Sequence, residues 1–221
     1  MNKWLKVLLA FLLFPLCVGA IGSLARVLMI SGQAKYFWIA AAGGAACWFT
    51  AYALLPKPMW VYVFGHELTH ALWTWLFGGK VKKFKVSALG GHVVITKSNF
   101  LIALAPYFFP LYTLVVVVIY ALGNWIWGWK AYSVWFHLLL GVTYAFHLTL
   151  TWYALKTEQS DITSQGFFFS AVVIVLGNLM VLLIGLPVLT GVPIWDAVVW
   201  WLRETGHFYQ RVAAFLAVGR H

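Results

Sequence analysis

The sequence predicts an all-α membrane protein: about six transmembrane helices, a short re-entrant β-hairpin after the third, and a C-terminal amphipathic helix at the membrane interface. Three observations predict this. Hydrophobic residues make up 63% of the chain and charged residues only 9%, against roughly 25% charged in soluble domains. Six apolar runs are long enough for the ~20 helical residues needed to cross a hydrocarbon core of about 30 Å. One internal stretch leaves the helical period for β-forming residues around a double glycine. With 221 residues, the expectation is one polytopic membrane domain over 1–221 and no separate soluble domain.

The first run, 5 to 30, has Lys3 just before it and Lys6 at its start. Val18-Gly19-Ala20 has the small residues of a signal-peptide cleavage site, but the apolar character continues to Ile30. That is longer than a signal core, so a retained spanning helix is expected. Runs 36 to 56 and 57 to 77 come next. The stretch from Lys80 to Lys97 then breaks the pattern: Val81, Phe84 and Val86, and later Val93, Val94, Ile95 and Thr96, favour strands, and Gly90-Gly91 favours a turn. A hairpin at membrane depth would need protein or an aqueous pocket to satisfy its backbone. An ordinary cytoplasmic loop is the alternative.

Run 99 to 122 contains Pro106 and Pro110, which free carbonyls and kink a helix. Runs 131 to 155 and 166 to 189 complete the six. Residues 195 to 219 mix Trp200, Trp201, Phe208, Tyr209 and Phe215 with Asp196, Arg203, Glu204 and Arg211. Such a segment is expected to lie on the membrane surface.

The net charge of +10 is mostly anchoring. Lys80, Lys82, Lys83, Lys85 and Lys97 follow the third run, which places that connection in the cytoplasm by the positive-inside rule. Threading the runs from there puts Arg26, Lys35 and Lys156 on the same side and Lys3, Lys6, Lys57 and Lys130 on the other. The expected location is an integral, multi-pass one of the bacterial inner-membrane kind. The lipid bilayer is the surrounding partner. Nucleic acid is excluded, because no soluble basic surface with interleaved aromatics accompanies the lysines. Cys17 and Cys47 both fall within runs and form neither a disulfide framework nor a cysteine zinc site. Oligomeric state has no signature here.

The chemistry sits in the third run, at Gly65-His66-Glu67-Leu68-Thr69-His70. Residues four apart share one helix face, so His66 and His70 can offer two imidazoles to one metal ion while Glu67 projects toward a metal-bound water as a base. With seven histidines and three glutamates in the chain, roughly 0.003 chance occurrences of H-E-x-x-H are expected. Hydrogen-bonded core histidines are the bland reading of such a pair. Ionisable groups at bilayer depth cost about 2.5 to 3.5 kcal/mol on insertion scales, which weighs against it.

A catalytic zinc takes three protein ligands and keeps one position open. Asp196 and Glu204 fall on the far side of the threaded topology, whereas Glu158 and Asp161 precede the sixth run on the side that the third run approaches after His70. His70 lies about 10 Å below that surface at 1.5 Å per residue. Asp161 is the preferred third ligand, with a helix N-cap as its other role. Glu158 is the reserve, and His147 in the fifth run could replace either acid. His137 and His92 are weaker candidates; His207 and His221 look like surface residues. Asn178 could bond a substrate backbone, though helix packing is its more ordinary use.

These features together resemble the site-2 protease family of intramembrane zinc metalloproteases. The likeness rests on Gly65 to His70 in a span, Gly90-Gly91 in a β-prone loop, Ala105-Pro106 early in the next span, and a late aspartate, and it covers roughly residues 57 to 185. The resemblance implies that His66, His70 and Asp161 bind Zn2+, that Glu67 is the catalytic base, that the loop after the metal helix is re-entrant, and that the substrates are transmembrane or membrane-associated proteins cleaved at peptide bonds. Asp161 stands between Ser160 and Ile162 rather than in the family's Leu-Asp-Gly type sequence, and the family's Ala-Gly-Pro reads Leu104-Ala105-Pro106. The alternative function is a non-catalytic membrane metal-binding or transport protein that keeps the protease fold. A membrane protease of another zinc class, using Glu158, is a third.

Overall fold

The structure is a computed structural model that describes residues 2–87 and 90–218. Nine α-helices and one two-stranded sheet form among these residues: α1 (Lys3–Ser31), α2 (Lys35–Leu54), α3 (Met59–Leu76), β1 (Val81–Ser87), β2 (Gly90–Ile95), α4 (Phe100–Leu104), α5 (Leu111–Trp127), α6 (Ser133–Leu155), α7 (Ser160–Gln165), α8 (Phe167–Thr190) and α9 (Ile194–Val218). Each apolar run of the sequence is helical over most of its length, with the hairpin where the β-formers lie.

Four helical stretches are long and apolar enough to cross a membrane: Lys3–Ser31, Lys35–Leu54, Trp129–Leu155 and Phe167–Thr190. This is consistent with a membrane protein. The expected fourth span is broken: Phe100–Tyr107 and Leu111–Trp127 meet at an angle of 80°. Pro106 and Pro110 lie at or beside the break, where each removes a backbone donor and forbids the helix from continuing. Helix α3, with 18 residues, is about 27 Å long at 1.5 Å per residue. It is not among the four because His66, Glu67 and His70 dilute its apolar character.

Contacts group the described residues into two units, one running from Lys35 to Asp161 and the other combining the residues before Lys35 with those from Ile162 onward. In the Lys35–Asp161 unit, α2 packs along α6 and α5 packs on α6. Small residues set the closeness of the α2–α6 pair, since a Cβ on Gly44 would collide with the Leu138 carbonyl and one on Gly141 with the Ala41 carbonyl. Such approach is how apolar helices pair without a hydrophobic driving force between them. The Trp48 Nε1–H donates across the same seam to Thr149 Oγ1 at 2.8 Å. Gly141→Val is expected to force the helices apart and destabilise the protein by about 1–3 kcal/mol or more. Thermal unfolding in detergent checks this; an unchanged transition contradicts it.

The antiparallel hairpin runs from the Val81–Ile95 pair to the Ser87–Gly90 pair, with an irregularity between Val81 and Lys83. Gly90 has φ +144°, a conformation side chains rarely adopt. Both strands lie against α3. Val86 packs on the cluster of Tyr62, Val63, Phe146, Leu150 and Ala154 that fastens α3 to α6, and the Phe84 ring meets Phe64 edge-on at 6.0 Å.

In the other unit, α1 packs against α8 and α9. The segment expected to rest on the membrane surface forms as α9, and it runs antiparallel along α1. Ser23 Oγ donates to the Ala197 carbonyl at 2.7 Å, Trp201 Nε1 to the Leu16 carbonyl at 2.9 Å, and the Phe14 and Phe208 rings meet at 6.3 Å. Arg26 and Glu204 pair at 2.6 Å. Trp201, Phe208 and Glu204 of α9 thus engage α1, while Trp195, Tyr209 and Phe215 stay exposed. Gly219 lies outside the described residues.

Candidate metal centre

The helical repeat of α3 puts the His66 and His70 rings one turn apart, 5.0 Å between centroids. Asp161 meets them from the first turn of α7. One of its oxygens, Oδ2, lies 3.4 Å from His66 Nε2 and 3.3 Å from His70 Nε2, and ligand atoms of all three residues fall within 4.8 Å of one another. Those two spacings are long for charge-assisted hydrogen bonds. They match the ~3.4 Å edge of a tetrahedron whose corners stand about 2.0–2.2 Å from a shared zinc ion. Two imidazole nitrogens and one carboxylate oxygen are also a donor set that a catalytic zinc takes, so the residues fit the ion.

The surroundings hold these ligands in position. His70 Nδ1–H donates to the Ile102 carbonyl at 2.8 Å, which leaves Nε2 to face Asp161 and, when unprotonated, to offer its lone pair to a metal. That carbonyl is fixed because α4 is capped by Asn99, whose Oδ1 accepts from the Ile102 amide at 2.8 Å. The Tyr107 hydroxyl donates to Asp161 Oδ2 at 3.1 Å, and its ring stands edge-on to His66 at 5.3 Å. Tyr107 is fully buried, in the tight turn at Ala105–Tyr107. Burial by itself raises the Asp161 carboxyl pKa. Hydrogen bonds and charge from His66 and His70 outweigh it and hold the group well below the usual carboxylate range.

The ligands open onto a cavity of about 270 Å³ that Glu67, Gly91 and His92 also line. It has room for several waters beside the metal position. Glu67 is 7% exposed. Its side chain reaches the cavity because Gly91 gives way: a Cβ there would lie 2.7 Å from Glu67 Cγ and 2.9 Å from the Lys85 carbonyl. The double glycine thus supplies a left-handed conformation at Gly90 and clearance for Glu67 at Gly91.

Tyr107→Phe keeps the packing and deletes only the hydroxyl. It is expected to weaken zinc binding about 10-fold or more, the usual effect of losing a partner that orients a ligand. Competition with a chromophoric chelator measures this, and an unaltered affinity contradicts the role.

The structure brings His66, Glu67, His70 and Asp161 together and leaves the other sequence candidates apart. Asp161 lies within the first turn of α7, its carboxylate turned to the histidines. Glu158 is exposed and outside the cluster. His147 is buried beside His66 on a separate small cavity without Asp161. His92 lines the main cavity but is not one of the clustered ligands. His137 packs against Phe37, and His207 lies 3.7 Å from Glu204. Asn178 donates to the Ile174 carbonyl of its own helix at 2.9 Å. His221 lies outside the described residues. Sequence reasoning missed Tyr107 and the Ile102 carbonyl. Asn99, a capping residue three positions before Ile102, was a signal for the second; nothing local marks the first.

Comparison with family models, curated proteins and solved structures returned no match.

Proposed function

We propose that this chain is an intramembrane zinc metalloprotease of the site-2 protease kind, hydrolysing peptide bonds of transmembrane or membrane-associated proteins. The observation that carries the reading is the Asp161 oxygen equidistant from His66 Nε2 and His70 Nε2, at 3.4 and 3.3 Å, with Glu67 in the same polar cavity. His66, His70 and Asp161 would hold the ion. Zinc so held supplies Lewis-acid polarisation of a carbonyl and lowers the pKa of water at the site.

Glu67 takes the proton from the attacking water and returns it to the departing amine, and its place in the polar cavity beside His66 and His70 suits it to that work. A helical substrate hides its carbonyls in its own hydrogen bonds and must unwind before cleavage. Strand β2 pairs with β1 along one edge and has no strand partner along the other among the described residues. Its Gly91, Val93 and Ile95 line the cavity, so an extended segment added to that edge would lie beside the ligands. The lysines of β1 favour a cytoplasmic placement of this end of α3. A metal carrier could use the same three ligands, but it has no need of Glu67.

The test is chelator-sensitive cleavage of single-span peptides by the purified protein in lipid vesicles, restored by zinc. Cleavage that persists without metal, or none across a broad set of such peptides, contradicts the proposal.

A further inference from the structure

Behind His66, away from the main cavity, is a second cavity of about 20 Å³, lined among others by Tyr62, His66, Thr69, Phe146 and His147. Space of about 10–15 Å³ suffices for one water. Two buried nitrogens of residues on this cavity, His66 Nδ1 and His147 Nε2, have no hydrogen-bond partner among the described residues. His147 is 8% exposed, so bulk solvent does not serve it. Buried polar atoms are rarely left so, and an ordered water is the usual answer.

The chemistry of His66 fixes the direction. Its Nε2 faces Asp161. A neutral imidazole that offers a lone pair there carries its proton on Nδ1. That N–H is a donor needing an acceptor, as His70 has in the Ile102 carbonyl. Among the described residues no carbonyl plays this part for His66. Of the polar residues that share its cavity, Thr69 and Tyr112 donate to carbonyls elsewhere, and the Tyr62 hydroxyl and His147 Nε2 are without partners among the described residues; of these two, only the imidazole nitrogen lacks a proton of its own when its ring carries one on Nδ1.

We propose that His147 is a positioning residue for His66, acting through one water held between His66 Nδ1 and His147 Nε2. The water accepts from His66 Nδ1–H and donates to His147 Nε2. The tautomer and tilt of the His66 ring are thereby set for the metal, as the Ile102 carbonyl sets His70. The inference rests on the metal-centre reading, and it gives a role to a histidine that is not itself a ligand.

Zinc affinity of the full chain in detergent tests it, with wild type beside His147→Phe and His147→Gln. The phenylalanine keeps the ring's bulk and removes its nitrogen, and is expected to weaken binding about 10- to 100-fold. Glutamine restores a polar partner and is expected to recover most of the loss. An unchanged affinity in His147→Phe overturns the proposal, and so does an equal loss in both variants, which would mark a packing role. Should His147→Phe fail to fold, a wild-type density map that resolves ordered waters decides: a water between the two nitrogens supports the proposal and an empty gap overturns it. His66→Ala separates the two levels of the argument. If it keeps its zinc, the metal centre itself is misassigned; if it loses zinc while His147→Phe does not, only the role of His147 falls.

Discussion

Glu67→Gln is expected to bind zinc like the wild type and to cleave about 10²–10⁴-fold more slowly, the usual contribution of a positioned general base. The three ligand atoms come from His66, His70 and Asp161, so an amide at position 67 removes no ligand. It is nearly isosteric with the carboxylate in the tight space beside Gly91, so packing is preserved as well. What it loses is the capacity to take a proton from water. Zinc content and peptide cleavage, measured on one preparation, check both halves. Undiminished cleavage would mean that Glu67 is not the base. Lost zinc would mean that Glu67 helps to hold the ion.

Asp161→Ala is expected to cost more than about 100-fold in zinc affinity, since losing even an outer partner of a ligand costs about 10–100-fold. The variant removes the oxygen to which both histidines point and the nearer of Tyr107's acceptors, Asp161 Oδ2 at 3.1 Å against Gln159 Oε1 at 3.4 Å. Glu158→Ala, three residues earlier and exposed, should bind zinc like the wild type, because surface changes away from such features have small effects. Titration of the two proteins side by side chooses between the acids. The reverse ranking would reassign the third ligand.

Much of this arrangement is written in short-range patterns. The helical period makes His66 and His70 neighbours whatever surrounds them, and apolar runs of the observed lengths become helices almost wherever they fall. Strand-forming residues on either side of Gly90-Gly91 specify the hairpin. Asp161 was reached by elimination among few acids, which works only because the chain has five acidic residues in all. Long-range packing was less legible. The two prolines foretold a kink, but the 80° break follows from where the neighbouring segments lie. Tyr107 reads in sequence as one more aromatic in an aromatic-rich chain, and its importance comes from a turn that presents its hydroxyl to Asp161. In the same way the composition of α9 does not reveal that its Trp201 and Glu204 engage α1.

The most direct measurement is the metal content of the purified wild type beside His66→Ala. About one zinc per chain in the wild type, falling to background in the variant, is the result expected of a site with two imidazoles and one carboxylate around a single ion. A wild type that carries no zinc after exposure to it, or a variant that keeps the same amount, would contradict the metal centre and with it the hydrolase.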